Sequence, residues 1–123
     1  MELNDISERI IGCAISVHRA LGPGLLESTY QVCLVHEIRK GGLQVESQVD
    51  LPVMYDGVRL DAGYRIDLLV AGRVIVELKA IDRLLPIHEA QILSYLKLSG
   101  HKVGLLINFN VRLLRDGIKR LAN

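Results

Sequence analysis

Tryptophan is absent from this 123-residue chain, phenylalanine occurs once and tyrosine four times. Aromatic platforms on which single-stranded bases stack are therefore in short supply. Cysteine occurs only twice and the four histidines are scattered, so no zinc-ligand spacing is present. Cys13 and Cys33 both fall in apolar helical patterns, which predicts core thiols in a reducing, cytoplasmic setting rather than a disulfide. Long apolar runs are missing too. Half of the residues are hydrophobic, yet no charge-free stretch approaches the ~20 residues that span a bilayer, so no membrane role is expected. The opening MELNDISERI carries acids and no basic-then-apolar pattern, which predicts no export signal. Neither sign of charge is in surplus: 15 Lys and Arg against 14 Asp and Glu give +1. Such a total says nothing about a nucleic-acid partner, because it does not show where charge gathers. No repeat, low-complexity tract or linker interrupts the chain. Residues 1–123 are expected to form a single domain, large enough for a genuine core.

The most informative stretch is Tyr64 to Lys79, YRIDLLVAGRVIVELK. Two runs rich in Val, Ile and Leu, parted by Ala71-Gly72, predict adjacent antiparallel strands. Side chains alternate along a strand, so Glu77 and Lys79 share one face and Val74, Val76 and Leu78 the other. Asp67 depends on the loop. A two-residue loop sets Ile66 opposite Glu77, whereas a three-residue loop (Ala71 to Arg73) or a bulge sets Asp67 there. Two facing carboxylates on an apolar sheet need a cation or a proton between them. A divalent metal suits carboxylate and water oxygens, with the Lys79 ammonium beside it. The same residues also suit the solvated face of an edge strand with Asp67 at a strand end. Spacing alone leaves both readings open.

Around this stretch the pattern is helix, helix, strands, helix, strand. Ile6, Ile10, Cys13, Ala14, Val17 and Leu21 recur at helical spacing and predict a helix over 4–21, capped by Asn4 or Ser7 and broken by Gly22-Pro23-Gly24. A second helix is predicted from about Leu26 to Lys40, ended by Gly41-Gly42. Glu27, Tyr30 and Leu34 share one of its faces; Glu27 there suits the helix dipole, and Tyr30 suits the core. Val45, Ser47, Val49 and Leu51 alternate with polar residues as in a half-buried strand, with Pro52 marking an edge or a bend. Asp56-Gly57 predicts a turn into a strand over 58–62. Pro86 suits the first turn of a third helix reaching Ser99, apolar around most of its circumference and so expected to pack closely on the sheet. On it Gln91 and Tyr95 are neighbours, with His88 beside them as a structural residue. Val103 to Phe109 predicts a central strand buried on both faces. In the tail, Asp116-Gly117 predicts a turn and a short last strand, although the leucine spacing also fits a helix. The whole predicts an α/β fold, a mixed β-sheet flanked by helices.

Gly24-Leu25-Leu26-Glu27-Ser28-Thr29-Tyr30 resembles the signature of the GxxExxY protein family, placed in the PD-(D/E)XK nuclease superfamily. The likeness extends through the GPG break, YRIDLLV, VIVELKA, HEAQILSYLKLSG and GLLINFN. It implies a restriction-endonuclease-like core. Within it Asp67 would be the metal-binding acid that ends or kinks a strand, Glu77 and Lys79 the residues of the ExK motif, and Glu27 an additional helix-borne acid. Gln91 and Tyr95 match the QxxxY pattern of the RecB-like branch. Ile66 stands where many members have proline before the acid.

What the resemblance implies is a nuclease using Mg²⁺ or Mn²⁺, held by Glu27, Asp67, Glu77 and the Leu78 carbonyl, on DNA or RNA. Lys79 would act on the attacking water or on developing charge, with Gln91, Tyr95 and Tyr30 as accessory residues. The alternative is a catalytically silent module on the same fold that binds nucleic acid or protein. A homodimer would give such a short chain more binding surface.

Overall fold

The computed structural model describes residues 1–123. Two helices, α1 (Leu3–Leu21) and α2 (Glu27–Lys40), precede a long hairpin of β1 (Val45–Tyr55) and β2 (Val58–Val70). Then follow β3 (Val74–Lys79), α3 (Pro86–Ser99), β4 (Val103–Asn108), one 3₁₀ turn (Leu114–Gly117) and β5 (Ile118–Ala122). The strands lie in the order β1-β2-β3-β4-β5. Only β3 and β4 run parallel, and α3 is the crossover that a parallel pair requires.

Two apolar layers hold this mixed sheet. On one face, Ile6, Ile10, Ala14 and Val17 of α1 and Tyr30, Leu34 and Ile38 of α2 pack on Leu68, Val70, Val74, Val76 and Leu78. On the other, Ile92, Tyr95 and Leu96 of α3 pack on Leu51, Ile66, Leu69, Ile75 and Leu106. All six residues of β4 are buried, as its continuous apolar run predicts. Tyr55 pairs directly with Val58, and Asp56 and Gly57 between them have φ of +53° and +73°. Positive φ at both central residues gives the turn whose twist matches the flanking strands, which is why Asp-Gly sits there.

Several expectations are corrected. The segment over 58–62 is not a separate strand but the first part of β2, whose 13 residues run through Gly63. Pro52 does mark a bend, since the β1–β2 register shifts between Leu51 and Val53 at the sheet edge. The helix α1 has no side-chain cap. Ser7, inside the helix, bonds back to the Leu3 carbonyl, and Asn4 accepts from Arg120. The helix α3 buries only Ile92, Tyr95 and Leu96, leaving Ile87 and Leu93 exposed. As the sheet's sole helix on that side it has no second helix to cover its outer flank. The tail forms the expected last strand, antiparallel to β4.

The alternation read along β1 is interrupted as well. Val45 packs under α1 and α2, whereas Val49 and Leu51 pack toward α3. On β2, Leu68 and Ile66 divide in the same way. Both strands exchange faces at the opposed pair Gln48 and Asp67, where the ladder skips a pair and Gln48 has φ +54°.

Candidate active site

Val70 pairs with Val74, so the β2–β3 loop is the three-residue loop Ala71–Arg73 and the register extrapolates to Asp67 opposite Glu77. The β2–β3 ladder itself stops at Leu68 and Val76. Beyond it β3 continues, paired only with β4 as far as Lys79 opposite Asn108. Where β2 and β3 part, backbone donors lose their strand partners, and a buried unpaired N–H is costly. The two acids fill the gap. Glu77 Oε2 accepts from the Asp67 backbone N–H at 2.7 Å, and Asp67 Oδ2 accepts from the Leu78 N–H at 2.9 Å.

This arrangement concentrates negative charge in a poorly hydrated place. Glu77 is 5% exposed. Burial first, and then the Asp67 charge, push its carboxyl up to about 8, against the opposing pull of the Asp67 N–H and Lys79. Asp67 is also raised, chiefly by burial, although the Leu78 N–H, Lys79 and the Gln48 side chain favour its charged form. Glu27, first residue of α2, is raised by burial and by Asp67 and lowered by Lys79, so it belongs to the same electrostatic cluster. The three acids do not form a ready-made cage: nowhere do three Asp, Glu, His or Cys side chains converge at metal-ligating distance.

Lys79 lies at a groove of about 620 Å³ between α3 and the β1–β2 hairpin, with Val53, Tyr64, Gln91 and Tyr95 among its walls. Gln91 Nε2 donates to the Tyr95 hydroxyl at 3.3 Å, and the Tyr95 ring meets Tyr64 edge-on at 6.2 Å. Burial and then the Glu77 charge raise the Tyr95 hydroxyl. Lys79, Gln91 and Tyr95 are thus gathered beside the acids. Tyr30 is placed elsewhere. Fully buried and stacked on Phe109 at 4.5 Å, it donates to the Gly22 carbonyl at 2.6 Å and accepts from the Leu25 N–H at 3.1 Å. It reaches the site only by fixing the loop that delivers Glu27. His88 Nδ1 accepts from the Leu85 N–H and so holds the start of α3.

Two supporting residues escaped the sequence reading. Asn108 is 1% exposed and clamps Ile81 through both its N–H and its carbonyl, fixing the chain just past Lys79. A lone amide in the apolar run VGLLINF was the available signal. Gln48 sits opposite Asp67 across the hairpin, favours its charged form and donates to Gln31 Oε1 at 3.2 Å, and nothing in its residue type marks it.

The model for the PD-(D/E)XK nuclease superfamily matches residues 4–121. The chain belongs to the PD-(D/E)XK nuclease superfamily. The match covers all five strands and three helices, so the α/β sandwich around Asp67, Glu77 and Lys79 is the superfamily's restriction-endonuclease-like fold. No curated protein and no solved structure matches the chain. No helix of this superfamily domain is long and apolar enough to cross a membrane.

Proposed function

We propose that the chain is a metal-dependent nuclease of the GxxExxY type, hydrolysing phosphodiester bonds of DNA or RNA. The observation that carries this reading is the opposition of Asp67 and Glu77 at the parting strands, with Lys79 two residues on along β3. Each acid commits one oxygen to a backbone N–H. The other Glu77 oxygen has no protein partner and is not sealed from solvent. Burial and the facing acid both hold these carboxyls in their protonated form, and a cation bound between them would favour the charged form instead. A residue's N–H and C=O leave a strand on the same edge, so the Leu78 carbonyl shares the gap into which its N–H points.

Asp67, Glu77 and the Leu78 carbonyl, with Glu27 turning in from the exposed first turn of α2, would hold Mg²⁺ or Mn²⁺. When bound, such an ion polarises a phosphate oxygen and makes water a better nucleophile. The chain's own residues do the rest. Lys79 orients the attacking water or neutralises charge that builds on the phosphate in the transition state. Gln91 and Tyr95, on the facing wall, steady the lysine or the phosphate backbone. Unpaired Cys13 and Cys33 fit a cytoplasmic setting.

The test is incubation of the pure protein with single- and double-stranded DNA and RNA, with Mg²⁺ or Mn²⁺ and with chelator. Cleavage that needs the ion, and is lost in Asp67→Asn and Glu77→Gln, is the expected result. Binding without cleavage of any of these substrates would replace this reading with that of a silent binding module.

A further inference from the structure

Three arginines, Arg19, Arg112 and Arg115, line one pocket of about 530 Å³ between the C-terminal end of α1 and the turn after β4. No carboxylate lines that pocket, and none of the three takes part in the chain's ion pairs, which use Lys40, Arg59 and Arg65 instead. In a chain of net charge +1, three exposed arginines on one pocket with no carboxylate in its lining make a local excess of positive charge that favours an anion. Guanidinium forks match phosphate oxygens in shape as well as charge.

The walls of the pocket are fixed to the core. His18 Nε2 lies 2.7 Å from the Val111 carbonyl, tying the residue before Arg112 to α1. Leu114, just before Arg115, is buried in the larger apolar layer. On the third side the Gly22 carbonyl, next to Pro23, accepts from the buried Tyr30 hydroxyl. The arginine stems therefore rise from backbone that is already positioned, which lowers the ordering cost of binding.

The pocket also lies at the same end of the sheet as the candidate active site, on the α1 side. Strands β3 and β4 are parallel with Lys79 opposite Asn108, so the turn bearing Arg112 and Arg115 leaves the sheet at the end where Lys79 lies. Pro23 precedes Glu27 by four residues, a separation of at most ~14 Å even for extended chain. At ~3.4 Å of rise per nucleotide, that upper bound corresponds to about four nucleotides between the Pro23 wall of the pocket and Glu27.

We propose that this arginine pocket is a phosphate-binding site that holds the sugar–phosphate backbone of a nucleic acid a few nucleotides from the bond cleaved at Asp67 and Glu77. Its placing rests on the nuclease reading; its ligand chemistry does not. The site contributes affinity and register but no base preference, since it offers charge and no base-reading edge.

The experiment measures binding of a labelled 20-nucleotide strand and the corresponding duplex, in chelator, over a range of salt. It compares wild type with Arg19→Gln/Arg112→Gln/Arg115→Gln and with an equal-charge control, Lys40→Gln/Arg59→Gln/Arg65→Gln, all checked for unchanged melting. The pocket variant is expected to lose at least about tenfold in affinity, and its log–log salt slope should fall by about two to three units, roughly one per phosphate contact. The control should lose far less. Equal losses in both variants, no loss in the pocket variant, or no binding by wild type would each overturn the pocket. Hydrolysis of bis(4-nitrophenyl) phosphate by wild type with Mn²⁺ reports on the nuclease reading separately. Arginine-dependent binding without any hydrolysis leaves the pocket standing and removes that reading, and hydrolysis with arginine-independent binding does the reverse.

Discussion

Asp67 and Glu77 hold each other's strands: Glu77 Oε2 takes the Asp67 N–H at 2.7 Å, and Asp67 Oδ2 takes the N–H of Leu78, the neighbour of Glu77, at 2.9 Å. The acids thus substitute for the ladder bonds lost where β2 and β3 separate. The same two groups keep the gap open and supply its charge. Structure and candidate chemistry are carried by the same two carboxyls, so their energetics can be read by titration.

The first prediction concerns pH. The Glu77 carboxyl is raised from 4.5 to about 8, so between those values the folded chain holds a proton that the unfolded chain has released. Its stabilising contribution is full below about pH 4.5 and declines as pH rises to about 8. Asp67 and Glu27, also raised, act in the same direction. Without divalent metal, Glu77→Gln keeps an acceptor for the Asp67 N–H and removes the titration. The variant should therefore gain on wild type with rising pH, reaching on the order of a few kcal/mol at pH 8. Urea unfolding of both proteins at pH 5, 6.5 and 8 checks this, and a constant difference across the three would rule it out.

A second prediction follows from the same surplus of charge. A cation that binds only the folded chain stabilises it by mass action. Millimolar Mn²⁺ at pH 8 should raise the melting temperature by several degrees, and by less at pH 5, where protons occupy the acids. Asp67→Asn should melt higher than wild type without metal and respond less to it. An unchanged wild-type melting temperature across the Mn²⁺ series would count against any cation between these carboxylates.

The legible parts of the fold were those written in chain-local chemistry. Parity alone required a three-residue loop or a bulge if Asp67 was to face Glu77, and the structure has the loop, Ala71–Arg73. Pro86 and Gly100 marked the ends of α3, and the apolar run of β4 marked a central strand. What stayed hidden was set by tertiary packing. The face exchange at Gln48 and Asp67 leaves no trace in the sequence, because Gln48 is not a residue type that advertises positive φ and Val45, Ser47, Val49 and Leu51 alternate as if unbroken. The strand expected over 58–62 runs on through Gly63 as part of β2. Arg19, Arg112 and Arg115 come from opposite ends of the chain, so only the folded molecule brings them together.

A third prediction isolates Tyr30 as a positioning residue. Tyr30→Phe keeps the stack on Phe109 and removes the hydroxyl that joins Gly22 to Leu25. Leaving that carbonyl and N–H without their partner should cost about 1–3 kcal/mol. A purely structural role ends there. If the loop sets Glu27, the Mn²⁺-induced rise in melting temperature should also shrink, and a full rise in Tyr30→Phe would confine this tyrosine to the core.

A fourth prediction uses the close approach of Gly117 to the Asn108 carbonyl, where a Cβ would collide with backbone. Gly117→Ala should push the 3₁₀ turn away from β4 and destabilise the chain by about 1–3 kcal/mol, as overpacking does. Because Asn108 clamps Ile81 beyond Lys79, the variant should also lose cleavage at temperatures where it remains folded. Denaturant titration and a cleavage assay on the same preparation check both effects. Full stability in Gly117→Ala would show that the turn has room to move.

The last prediction separates an enzyme from a binding module, and it rests on Lys79. The lysine stands at the groove beside the acids, is paired with no carboxylate, and lowers the carboxyls of Glu27, Asp67 and Glu77 by its charge. In an enzyme its contribution falls mainly in the transition state, where water and phosphate charge must be held. Lys79→Ala should then lower the cleavage rate by about 10²–10³, by analogy with other preorganised groups, while nucleic-acid affinity and the Mn²⁺ response remain close to wild type. In a module Lys79 is at most one phosphate contact, and its loss weakens binding modestly and flattens the salt dependence by about one unit. Single-turnover cleavage and chelator-protected binding, measured on one substrate with both proteins, distinguish the two. Undiminished cleavage together with weakened binding would show that Lys79 holds the substrate and leaves the chemistry to other groups.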